Sequence, residues 1–194
     1  MNTPTLASSL ATLALLPPSA SRLALAAQVA DAGRRHLAPI PTWVTGYLEH
    51  CLSAARIACL PKEELVEPLL TLHLLTGKSE YEREAISIIT ACYRQIAEFI
   101  SHPQLLDSSL FTLDSCAERP ESGNALTSDL VTLISDLYIA TTCCEYIEDY
   151  DPSLVLSAYH RLTSLLETSA KALAPSQRAK LAELSEQLAL SEAV

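Results

Sequence analysis

SEYEREAISIITACYRQIAEFISH, residues 79–102, decides how the chain is read. Wound as a helix, it carries two adjacent apolar stripes. Tyr81, Ala85, Ile88, Cys92, Ile96 and Phe99 form one; Ile86, Ile89, Tyr93, Ala97 and Ile100 form the other. Steps of three and four residues keep each stripe on one side of a helix. The polar remainder is narrow, chiefly Glu84, Ser87, Arg94, Glu98 and Ser101. A helix apolar over half its circumference needs neighbours on at least two sides. The stretch is therefore expected at the centre of an all-helical domain.

Upstream, Ser79 and Glu82 have capping-box spacing. Gly77 reads as the stop of a leucine-rich helix opened by Pro61, with Glu63, Glu64 and Glu67 in its first turns, where acids suit the dipole. Pro68 either kinks that helix or marks its true start, leaving Lys62–Glu67 as a separate turn. A further helix is expected from Thr42 to about Cys59. Gly46 inside it either marks a close helix–helix approach or is tolerated at about 1 kcal/mol against Ala. Pro39 and Pro41 separate it from an N-terminal segment, residues 1–36. There Thr3–Pro4 has the cap-then-proline order of a helix start. Leu6, Leu10 and Leu13 share a face, Pro17–Pro18 interrupt, and a second helix from about Ser19 presents Leu23, Ala26, Ala27 and Ala30. This is expected to be an apolar hairpin or arm packed on the body or on a partner.

Downstream, Pro103 ends the central stretch, and Leu105 to Leu113 suggest a short helix. Residues 114–124, DSCAERPESGN, form the longest polar loop and a candidate internal boundary. A second wide-faced helix is expected over about 125–149, led by Leu130, Leu133, Ile134, Leu137 and Ala140. Asp151–Pro152 has the order of a cap and first helical residue. Val155, Tyr159, Leu162 and Leu166 continue as a stripe. A last helix from Pro175 offers the narrow seam Leu181, Leu184, Leu188. The expected fold is all-α: a compact irregular bundle of about eight to nine helices, built from antiparallel hairpins around the two central helices, 79–101 and 125–149. No repeat period recurs, which argues against a solenoid. Two regions are expected, the hairpin 1–36 and a helical body 37–194.

Composition narrows the function classes. The chain of 194 residues is 49% hydrophobic, with a mean hydropathy of +0.21. Yet no apolar run approaches the roughly 20 residues of a membrane span. Four glycines argue against a phosphate-binding loop. The net charge is −10. Residues 1–60 set four arginines against two acids, so residues 61–194 hold −12 of it. Without a basic stripe, nucleic-acid binding is not expected. Six cysteines without a bridging pattern read as free thiols of a reducing, intracellular compartment, the cytoplasm ahead of the mitochondrion. The N-terminal segment lacks the basic start of a secretory signal and carries less Arg than a mitochondrial presequence normally does.

The most pointed cluster is Glu145-Tyr146-Ile147-Glu148-Asp149-Tyr150-Asp151. If helical to Asp149, its acids oppose the helix dipole. Asp151 is explained as a cap; Glu145, Glu148 and Asp149 are not, and the commonest meaning of such a run is a solvated acidic corner. The functional alternative is a docking patch for a basic partner. The spacing matches no EF-hand loop, and the five histidines form no zinc or di-iron pattern. No catalytic residue, cofactor-binding residue or metal ligand is assigned. The expected function is a non-catalytic protein–protein interaction module, an adaptor, chaperone-like or assembly subunit, binding a protein partner or itself. Its candidate contact residues are Leu6, Leu10, Leu13, Glu145, Tyr146, Glu148, Asp149 and Tyr150. The alternative is a bundle that holds an apolar small molecule or lipid between helices; the third reading is an enzyme without a recognisable motif.

Overall fold

In a computed structural model the described residues are 6–35, 41–101, 123–168 and 175–192. They are all-α, with eight α-helices and no strand among them. These are α1 (Leu6–Leu15), α2 (Leu23–Arg35), α3 (Thr42–Ile57), α4 (Val66–Thr76), α5 (Ser79–Ser101), α6 (Gly123–Thr142), α7 (Pro152–Thr168) and α8 (Pro175–Glu192). Short 3-10 turns, Ala20–Arg22, Lys62–Leu65 and Cys144–Tyr146, precede α2 and α4 and follow α6. The expected Thr3 cap, the short helix of 105–113 and most of the polar loop lie outside the described residues. None of the described helices is long and apolar enough to cross a membrane.

The chain divides into two units, Met1–Ile88 and Ile89–Val194. In the first unit α2 packs against α1, α3 and α4, and α3 packs against α4. The stripe of α2 is small: Ala26, Ala27 and Ala30 are fully enclosed, and Leu23 nearly so. Val44, Leu48, Leu52, Leu69 and Leu72 supply the bulk of this core. Residues Ser79–Ile88 of α5 belong here too. Arg56 bonds Glu84. Glu49 accepts hydrogen bonds from Lys78 Nζ at 2.9 Å and from the Tyr81 hydroxyl at 2.8 Å. Those bonds hold the Glu49 carboxyl below the usual carboxylate range.

The second unit is built on α6, which packs against α7 and α8. Leu133, Ile134, Leu137 and Ala140 face its interior with Val155, Leu162 and Leu184. Asp136, a charged residue on α6, is only 3% exposed. Ile89, Cys92 and Ile96 of α5 are buried as the first stripe requires. The second stripe is partly exposed at Ile86, Tyr93, Ala97 and Ile100. Arg161 fastens the end of α5. Its guanidinium donates to the Phe99 carbonyl at 2.8 Å and stacks 4.6 Å from the Phe99 ring. Phe99 is among the last four α5 carbonyls, which lack helical partners.

Helix ends follow local chemistry, with three departures. Gly77 is left-handed, φ 70°, and closes α4 through a 2.7 Å bond to the His73 carbonyl. Asp151 caps α7 by accepting from the Ser153 N–H at 2.9 Å; the Ser153 hydroxyl and then this N–H lower its carboxyl pKa. Pro68 is buried at the third position of α4, where its missing N–H costs no helical bond, and Lys62–Leu65 is a separate turn. The first departure is Ser79, which lies inside α5 rather than before it. Glu82 approaches His73 at 3.7 Å instead of completing a capping box. The second is Gly46. No atom outside its own helix backbone lies within 4 Å of a Cβ placed there, so it marks no close approach.

The third is the second wide-faced helix, which stops at Thr142 rather than Asp149. Thr141 and Thr142 turn their hydroxyls back to the Leu137 and Tyr138 carbonyls, each at 2.8 Å. Cys143 leaves helical geometry, φ −120° and ψ 30°, and Ile147 is extended, φ −108° and ψ 113°. Ile147 is buried, but it gets there as extended chain and not on a helical period.

The end of α3 holds the one described non-glycine residue with positive φ, Cys59 at 53°. Cys59 N–H bonds the Arg56 carbonyl at 3.1 Å, and Leu60 N–H bonds the Ala55 carbonyl at 3.0 Å. This is a Schellman cap with cysteine where glycine is usual. Left-handed geometry costs a residue with a Cβ about 1–2 kcal/mol, and glycine returns about 0.4–1 kcal/mol through its freer unfolded chain. Cys59→Gly is thus expected to stabilise the first unit by about 0.5–1 kcal/mol. A rise in denaturant midpoint at unchanged slope checks it; a fall would show that the thiol makes a compensating contact.

Candidate interaction surfaces

In the first unit, Pro17–Pro18 stop α1 because proline cannot continue the hydrogen-bond ladder. Arg22 then ties the turn. Its guanidinium donates to the Pro17 carbonyl at 2.5 Å and to the Ser19 hydroxyl at 3.2 Å. From α3, the Tyr47 hydroxyl donates to the same Pro17 carbonyl at 3.3 Å. One turn before Tyr47, Trp43 sets its ring edge-on to the Tyr47 ring at 6.1 Å. One turn after it, Cys51 is fully enclosed, and burial pushes its thiol pKa up.

Around this fixed turn, apolar side chains reach water. Leu15 is 84% exposed, Leu16 37% and Trp43 39%. The expected contact residues sit differently. Leu13 is fully enclosed and belongs to the core, Leu10 is half-buried, and the side chain of Leu6 lies outside the described set. The exposed group is therefore the end of the leucine run, not its face. Ile57 at the last residue of α3 and Leu74 on α4 are also exposed.

At the α2–α4 packing, Asp31 accepts from Arg34 at 2.9 Å and from Arg35 at 2.5 Å. Glu67 of α4 faces this cluster. Desolvation, then the Asp31 carboxylate, raise its carboxyl pKa, while Arg35 opposes them. Glu67 itself is exposed.

In the second unit the acidic corner is a 3-10 turn, an extended residue at Ile147 and a second turn at 148–149, a non-helical strap rather than a helix end. Opposition to the α6 dipole is thereby removed as a puzzle. Glu145, Glu148 and Asp149 are exposed, Tyr146 and Tyr150 are half-buried, and Ile147 anchors the strap inside. Tyr93 of α5 holds both sides of it. The Tyr93 hydroxyl donates to the Asp149 carbonyl at 3.3 Å and accepts from the Asp151 N–H at 2.9 Å. The Tyr93 and Tyr150 rings lie 5.9 Å apart, and burial raises the Tyr150 pKa. The structure so brings Glu145, Tyr146, Glu148, Asp149 and Tyr150 into one short surface segment.

Two features escaped the sequence reading. Trp43, in the first turn of α3, is exposed, and no motif in the sequence marks it. Tyr93 was counted with an apolar stripe, and only the fold brings its hydroxyl to the strap. Among the described residues, no group of three or more His, Cys, Asp or Glu side chains could hold a metal ion. No protein-family model, curated protein or solved structure matches the chain.

Proposed function

We propose that the chain is a helical protein–protein interaction module, an adaptor, chaperone-like or assembly subunit, acting without catalysis of its own. The observation that carries this reading is the exposed group Leu15, Leu16 and Trp43 beside a turn that Arg22 and Tyr47 hold fixed. An exposed Trp together with exposed aliphatic side chains is the usual makeup of an interface anchor; Trp43 is tied to the turn through its ring contact with Tyr47, which bonds Pro17. Preorganisation of the turn lowers the ordering cost of binding. The exposed carboxylates of the strap offer a second surface, suited to a basic partner.

The test compares the wild type with Leu15→Ser/Leu16→Ser/Trp43→Ala by sedimentation and by retention of partners under matched conditions. The variant is expected to keep its helical spectrum and lose self-association or a specific partner held by the wild type. Truncating an anchor of this kind typically costs about 2 kcal/mol or more, a loss of roughly thirtyfold in affinity. A wild type that stays monomeric and holds no partner, or a variant that retains the same partner equally, would overturn the reading.

A further inference from the structure

Cys143 and Cys144 are adjacent thiols, neither of them in a disulfide and each partly exposed; the Cys143 sulfur lies 3.8 Å from the Thr142 hydroxyl. They stand where α6 gives way to the 3-10 turn. The Cys143 carbonyl accepts from the Tyr146 N–H at 3.1 Å, and the Cys144 carbonyl accepts from the Ile147 N–H at 3.1 Å. These two bonds shape the start of the strap. We propose that Cys143–Cys144 is a reversible modification site for low-molecular-weight disulfides, closing to an intramolecular disulfide and loosening the turn after α6.

The pairing has a kinetic advantage and a thermodynamic handicap. Once one sulfur carries a mixed disulfide, the neighbouring thiol is held beside it at high effective concentration, so ring closure outruns a second encounter. Against that, adjacent Cα atoms sit about 3.8 Å apart across a trans peptide. Relaxed disulfides hold theirs at about 4.4–6.8 Å. A bond closed at that spacing is strained, and strained exposed disulfides are readily reduced. The site suits a transient switch and not a permanent staple.

The chemistry balances in two exchanges. One cysteine thiolate attacks the small disulfide, forming a mixed disulfide and expelling a small thiolate. The neighbouring thiolate attacks the protein sulfur of that mixed disulfide, forms the Cys143–Cys144 bond and expels the second small thiolate. The two protons lost by the cysteines are taken up by the two leaving thiolates. The protein pair is oxidised by two electrons, and the small disulfide is reduced to two thiols. Closure twists the shared peptide whose carbonyl Tyr146 uses, so the turn loses a hydrogen bond. It acts at the N-terminal end of the strap, whereas Tyr93 bonds Asp149 and Asp151 at the C-terminal end.

The experiment treats the full chain with oxidised glutathione, traps remaining thiols by alkylation and maps peptides by mass. The expected product is the wild-type 143–144 peptide two hydrogens lighter, unalkylated, and restored by reduced glutathione. Cys144→Ser and Cys143→Ser are expected to stop at a stable glutathione adduct on the remaining sulfur. In the oxidised wild type, exchange of the Tyr146 and Ile147 amides should quicken by about tenfold, the order of one net hydrogen bond lost. A lasting glutathione adduct on the wild-type pair, or two freely alkylated thiols after treatment, would overturn the proposal. So would ring closure that leaves those two amides unchanged.

Discussion

Leu137→Ala is expected to destabilise the second unit by about 2–5 kcal/mol, the largest effect of any single truncation considered. Leu137 is fully enclosed at the centre of the α6 stripe, between Ile134 at 1% exposure and Ala140 at 0%. Its helix is the one that meets both α7 and α8, so a cavity there removes contacts in two directions. The lost transfer free energy adds to the cost of a void that neighbours on α7 and α8 cannot both move to fill. Leu137→Met conserves volume and is expected to cost less than about 1.5 kcal/mol. Denaturant midpoints of the two variants check the pair. A Leu137→Ala loss no larger than that of Leu137→Met would mean that α6 is not packed as a core helix.

How far the chain could be read in advance depended on how local each cause is. The stripes of α5 and α6 were legible because burial on one side of a helix repeats every three or four residues. Ala85, Ile88, Cys92 and Ile96 are buried where the spacing placed them. Gly77 and Asp151–Pro152 were legible because caps are set by one or two residues. The end of α6 was not. Cys144 and Ile147 continue the helical period by coincidence, whereas the helix stops where Thr141 and Thr142 turn their hydroxyls back on the Leu137 and Tyr138 carbonyls and Cys143 leaves helical geometry. Of the candidate surface, the carboxylates were legible as a charge run. The apolar part shifted from Leu10 and Leu13 to Leu15, Leu16 and Trp43. Which member of an apolar run stays uncovered depends on partners distant in sequence, here Tyr47 reaching back thirty positions to Pro17.

The other large expected effect tests why α2 is made of small residues. Ala30→Leu should destabilise the first unit by about 1–3 kcal/mol even though leucine is nearly as good a helix former as alanine. Ala30 is fully enclosed, as are Ala26 and Ala27 on the same face, and α2 is the helix that packs against α1, α3 and α4. Short side chains let several helices crowd one axis, so added carbons meet neighbours already in contact and force strained rotamers or helix displacement. Ala24→Leu provides the control. Ala24 lies on the exposed side of the same helix, so leucine there is expected to change stability by less than about 0.5 kcal/mol. The comparison cancels helix propensity and leaves packing. Equal effects at the two positions would show that the alanines of α2 serve helix formation alone. A loss confined to Ala30→Leu would identify α2 as the axis of the unit, with its small side chains as the condition for three neighbours to share it.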